Sequence, residues 1–87
     1  MWGGKKARDN RPIYSGPRVD IDELLDFENE LLDRCSCNTS VSDSGLDITV
    51  QISGRYSLPG TVEHDKSIVR QAFNKHISKG RLFIEII

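Results

Sequence analysis

Nothing in this chain is continuous or concentrated enough to mark a membrane segment, a disulfide scaffold or a familiar catalytic motif. No apolar run approaches the roughly 20 residues of a membrane span. The opening Met1-Trp2-Gly3-Gly4-Lys5-Lys6 carries charge with no apolar stretch behind it, which argues against a secretory signal. Glycine at position 3 rather than 2 argues against myristoylation. Cysteine is scarce: Cys35 and Cys37 stand one residue apart, too close for the long-loop disulfides of small secreted domains. Reduced thiols and a cytoplasmic or nuclear setting are therefore expected. The sequon Asn38-Thr39-Ser40 is read as chance without a signal peptide.

The chemistry-bearing patterns are equally thin. There is no P-loop, no Gly-rich dinucleotide fingerprint and no pair of metal-binding histidines on one helix face. Cys35, Cys37, His64 and His76 are four nominal zinc ligands. Twelve positions separate the histidines, which on one helix is about 18 Å along the axis and about 120° of rotation, so one ion cannot meet both. A nucleophilic role for either thiol needs an oriented base and an oxyanion site, and the sequence identifies neither. No catalytic, cofactor-binding or metal site is expected, and the chain is read as non-enzymatic.

What is present is one modest soluble domain. At 87 residues, 37% hydrophobic and 29% charged, the chain has material for a single core. The net charge of −1 hides a division. Residues 1–18 hold five basic side chains against one acidic, a net of +4, while residues 19–87 hold seven basic against twelve acidic, a net of −5. The first segment, broken by Pro12, Gly16 and Pro17, has too few large apolar groups to offset its ordering entropy and is expected to be a flexible basic arm. Residues 19–87 are expected to form the single α+β domain.

Asp20 is placed to cap a helix, with Glu23 three residues on in a capping-box arrangement. Ile21, Leu24, Leu25, Leu31, Leu32 and Cys35, widened by Phe27, predict an amphipathic helix over about 20–35. Its other face would carry Asp22, Glu23, Asp26, Glu30 and Asp33 as one negative surface. Cys37 to Gly45, rich in Ser, Asn and Asp, reads as a loop. Leu46, Ile48, Val50 and Ile52 alternate with Asp47, Thr49 and Gln51 as in a half-buried strand. After Ser53-Gly54, residues 55–58 either continue that strand or return as a short second one.

Thr61 is the expected cap of a second helix, with Glu63 and Asp65 toward its positive end and Lys75 and Lys79 toward its negative end. Ile68, Val69, Ala72, Phe73 and Ile77 form its apolar face, and Gly80 is placed to stop it in the left-handed conformation. Arg81 to Ile87 reads as a final strand, with Leu82, Ile84 and Ile86 toward the core and Phe83 and Ile87 away from it. The expected fold is two helices on one face of a two- or three-stranded sheet, in the order α-β-(β)-α-β. A sheet this narrow has open edges, which favours extension by dimerisation.

Two features carry the functional expectation. Glu28 on the first helix and His76 on the second occupy centres of apolar faces, which suggests a pH-sensitive pair between packed helices. Trp2, Lys5, Lys6, Arg8 and Arg11 combine a stacking ring with cations, a mixture suited to nucleic acid or an anionic membrane surface. Candidate partner-binding residues are therefore that set, the carboxylates Asp22, Asp26, Glu30 and Asp33, and the apolar Phe83 and Ile87. The leading expectation is a protein-interaction module, a small regulator or inhibitor of the size viruses and phages encode, acting as a sheet-mediated homodimer. The alternative is a coat- or matrix-type assembly protein whose basic arm binds nucleic acid or membrane.

Overall fold

The computed structural model describes residues 17–87, and the arm residues Trp2, Lys5, Lys6, Arg8 and Arg11 lie outside the described residues. The elements follow in the order α1 (Ile21–Arg34), β1 (Thr39–Ser44), β2 (Asp47–Ile52), α2 (Pro59–His76) and β3 (Arg81–Ile86). They form an α+β fold with a three-stranded sheet ordered β1-β2-β3. β1 and β2 are an antiparallel hairpin in which Ser44 faces Asp47. β2 and β3 run parallel, with Ile48, Val50 and Ile52 opposite Leu82, Ile84 and Ile86.

α1 begins where Asp20 predicts. The Asp20 carboxylate accepts from the backbone N–H of Asp22 at 2.8 Å and of Glu23 at 3.3 Å, answering two of the orphan donors of the first turn. Glu23 does not close a capping box. Its carboxylate instead accepts from the backbone N–H and the hydroxyl of Ser78, beyond the end of α2.

The serine-rich segment expected as a loop is strand β1. Its alternation is nearly invisible in the sequence because Val41 is the one apolar side chain on its inner face, while Ser40, Ser42 and Ser44 point to the open face. Pairing with β2 supplies the backbone hydrogen bonds, so the strand needs little burial of its own. Gly45-Leu46 closes the hairpin, and Gly45 at φ +64° takes the left-handed conformation that the first position of a type II′ turn demands.

Residues 55–58 neither continue β2 nor return as a strand. They form a turn in which Ser57 donates to the carbonyl of Gly54, and the carbonyl of Ile87 accepts from both Gly54 and Arg55. Gly54 is required by proximity, since a Cβ there would stand 2.7 Å from Cγ2 of Val62.

α2 starts two residues before the expected Thr61, because Pro59 in its first turn has no N–H to satisfy and arrives with helical φ; Leu58 is the cap and makes no side-chain cap bond. The helix ends at Ile77, whose N–H bonds the carbonyl of Phe73. Gly80 does not stop it in the left-handed region, Gly45 being the positive-φ residue among those described. Gly80 instead lets three segments meet: a Cβ there would lie 3.0 Å from the Leu46 carbonyl, 3.2 Å from Val19 and 3.3 Å from Ile77.

Both helices cover one face of the sheet. Leu24, Phe27 and Leu31 of α1 and Ile68, Val69 and Ala72 of α2 meet Ile48, Val50 and Ile52 of β2, with Val19 and Ile77 closing one end. Phe27 and Phe73 make an edge-to-face contact at 6.2 Å between the helices. Burying these side chains contributes roughly 1.5–3 kcal/mol each for the larger ones. Leu82 and Ile84 pack against the cluster as expected, whereas Ile86, on the same face, stays partly open.

Candidate interaction surfaces

The seam between the helices holds the densest ionic cluster. Glu30 accepts from Arg34 at 2.7 Å, from Lys75 at 3.1 Å and pairs with Nε2 of His76 at 2.7 Å. The bonds from His76, then Arg34, then Lys75 hold the Glu30 carboxyl down at about 2 against a small opposing effect of burial. Arg34 also reaches Gln71 on α2 at 3.2 Å. The cluster forms the floor of a polar groove of about 480 Å³ whose α1 wall includes Asp26, Asn29 and Asp33.

His76 is thus held by Glu30, and the anticipated pairing with Glu28 is not made. Glu28 sits on the other flank of α1, beside Leu32 of that helix and Thr39 and Val41 of β1. The single acidic face expected of α1 is divided accordingly. Glu23 and Glu30 are engaged by α2 and the loop after it, while Asp22, Asp26 and Asp33 face outward and meet no cation among the described residues.

A second polar centre was not legible as such. Asp65 on α2 is fully buried, and its two carboxylate oxygens accept from the backbone N–H of Ser36 at 2.9 Å and of Cys37 at 2.7 Å. Burial alone would raise its pKa, but those two backbone bonds, helped by Cys37 and His64, hold it below the ordinary value. This carboxylate fastens the α1–β1 connection to α2. The neighbouring Cys35 thiol is pushed up to about 11, first by burial and then by the Asp65 charge. Cys37 Sγ lies 3.5 Å from the Ser57 hydroxyl. His64 belongs to this centre and His76 to the interhelical one, and no group of three or more His, Cys, Asp or Glu converges for a metal among the described residues.

The sheet presents an open face and an open edge. On the uncovered face Arg81 bridges to Asp47 at 2.8 Å and Gln51 to Glu85 at 3.0 Å, with Phe83 between them under the Arg81 guanidinium. β3 is the outermost strand on its side, and Arg81 and Ile87 donate inward to Leu46 and Ile52. By the alternation of a parallel ladder, the N–H and C=O groups of Leu82, Ile84 and Ile86 point outward. Phe83, Ile86 and Ile87 are 47%, 43% and 50% exposed along this strand. Tyr56 and Leu58, in the segment expected to continue β2 or return as a second strand, are exposed at the same end of the sheet. A shallow apolar groove of about 380 Å³ runs there between Arg55, Tyr56 and Ile87.

No protein-family model, curated protein or solved structure matches this chain. No helix among the described residues is long and apolar enough to cross a membrane.

Proposed function

We propose that the chain is a non-enzymatic protein-interaction module, a small regulator or inhibitor, that pairs with a second copy of itself through the β3 edge. The observation that carries this reading is the contrast between the two edges of the sheet. The β1 edge is serine-rich and carries Asp43 on the same face as Val41, polar and charged features that discourage strand addition. The β3 edge combines outward-pointing backbone groups with the partly exposed Phe83, Ile86 and Ile87. Antiparallel pairing of β3 with its two-fold mate joins two three-stranded sheets into one of six and uses the same patch on both copies.

Sedimentation equilibrium over a wide concentration range tests it. The expected result is a reversible dimer, weakened at least tenfold by Phe83→Asp with the fold preserved by circular dichroism, and concentration-dependent amide protection at Leu82, Ile84 and Ile86. A monomer at all concentrations, with those amides exchanging freely, overturns the reading. Salt-sensitive association beyond a dimer also overturns it, in favour of a coat- or matrix-type assembly protein.

A further inference from the structure

α1 buries less of its apolar surface than its sequence offers. Leu24, Phe27 and Leu31 fill the core, yet Ile21, Leu25 and Leu32 are 50%, 51% and 73% exposed. At 3.6 residues per turn, positions 21, 25, 28 and 32 fall within about 60° of one another and run about 16 Å along the axis. Their spacing of four, three and four is that of a helix–helix seam, with Glu28 at the third place. The seam does not face α2, which meets the opposite flank through Glu23, Glu30 and Arg34. It faces β1, and between them Glu28, Leu32, Thr39 and Val41 line a groove of about 220 Å³.

The ionisable side chains of the seam and of the helix arc beside it are carboxylates. Glu28 lies within the seam, Asp43 stands on β1 beyond Val41, and Asp22, Asp26 and Asp33 follow on the arc of α1 past the seam, where Asp26 and Asp33 also wall the interhelical groove. None of the five meets a cation within ion-pair distance among the described residues, although Glu30, on the flank facing α2, collects three. Between Arg18 and Arg55 the chain contains Arg34 as its sole Lys or Arg, and Arg34 is turned toward α2. A second copy of α1 is a poor occupant, because it would set Glu28 and the acidic border against their own likeness.

We propose that this flank of α1 is the docking groove for a basic amphipathic helix of a partner protein, three turns or more in length. Its apolar residues, spaced by three and four, rest on Ile21, Leu25, Leu32 and Val41. A Lys or Arg in its own seam faces Glu28, and its flanking cations reach Asp22, Asp26 and Asp33. Apolar contact fixes register, and the acidic border selects the sign of the partner and speeds encounter. The proposal rests on the reading of the chain as an interaction module but uses a surface separate from the β3 edge.

Two fluorescent 21-residue peptides of identical Lys, Arg and Leu content test it against the full chain, one with leucines in the four-three spacing and one shuffled. The spaced peptide is expected to bind at least tenfold more tightly than the shuffled one, with amide shifts concentrated at residues 21–32 and at Val41. Leu25→Ser is expected to weaken it at least tenfold, and Asp22→Asn with Asp26→Asn and Asp33→Asn to flatten its salt dependence. Phe83→Asp is expected to leave this binding unchanged, so dimer formation and docking fail independently. Equal binding of both peptides, shifts centred on His76 or β3, or no binding at millimolar peptide overturns the proposal. So does tighter binding when Lys5, Lys6, Arg8 and Arg11 are all replaced by Ser, which would make the chain's own arm the occupant.

Discussion

Nε2 of His76 stands 2.7 Å from Oε1 of Glu30, tying the last turn of α2 to the third turn of α1. Because the same carboxylate also receives Arg34 and Lys75, its proton affinity records the packing of the two helices.

That packing sets a pH dependence. Glu30 in the folded chain sits at about 2, below its ordinary 4.5, so its contribution to stability is complete above the ordinary value and is lost as the pH falls through about 2. Thermal melts between about pH 5 and about pH 2 are expected to fall more steeply for the wild type than for Glu30→Gln, which cannot titrate. Parallel curves would show that the cluster adds nothing to the fold.

Asp65 should matter more than any exposed carboxylate. Replacing it with Ala strands the N–H groups of Ser36 and Cys37 in a buried site, a loss of about 1–3 kcal/mol by urea unfolding. Amide exchange at Ser36 and Cys37 should accelerate in the same variant, while the amides of β2 and β3 keep their relative order.

Cys35 is expected to resist alkylation in the folded chain. With its thiol near 11, the reactive thiolate is on the order of 0.1% of the population at about pH 8. Differential alkylation read by mass spectrometry should label Cys35 slowly in buffer and rapidly in denaturant.

The turn after β2 gives a paired test. Gly54→Ala drives a Cβ to 2.7 Å from Cγ2 of Val62, a stiff β-branched side chain, and is expected to destabilise by about 1–3 kcal/mol. Shortening the neighbour in Gly54→Ala with Val62→Ala relieves that overlap, so the double variant should lose less than the sum of the two single losses.

The parts of the fold legible in the sequence are those where burial enforces a period. Ile48, Val50 and Ile52 alternate because β2 is the central strand, and Ile68, Val69, Ala72 and Ile77 recur because α2 lies on the sheet. β1 escaped because an edge strand held by backbone pairing needs only Val41 inside. The exchange of Glu28 for Glu30 has a related cause. Counting Ile21, Leu25 and Leu32 as core centres the apolar face on Glu28, whereas the real core of Leu24, Phe27 and Leu31 turns the helix so that Glu30 meets α2. Asp65 resembled a surface carboxylate on a helix, and no local pattern marks one that reaches the amides of Ser36 and Cys37, 29 and 28 positions away.

The parallel pairing of β2 with β3 also dictates how the molecule comes apart. The hairpin closes over two residues, but Asp47 and Arg81 are 34 positions apart, so β3 is joined to the sheet only after α2 has been laid across it. In reverse, peeling β3 away strips Leu82 and Ile84 from the flank of the cluster around Ile48, Val50 and Ile52 while the hairpin can persist. The strand proposed to recruit a second copy is therefore also one flank of the interior, and occupying its edge would oppose any opening of the molecule on that side.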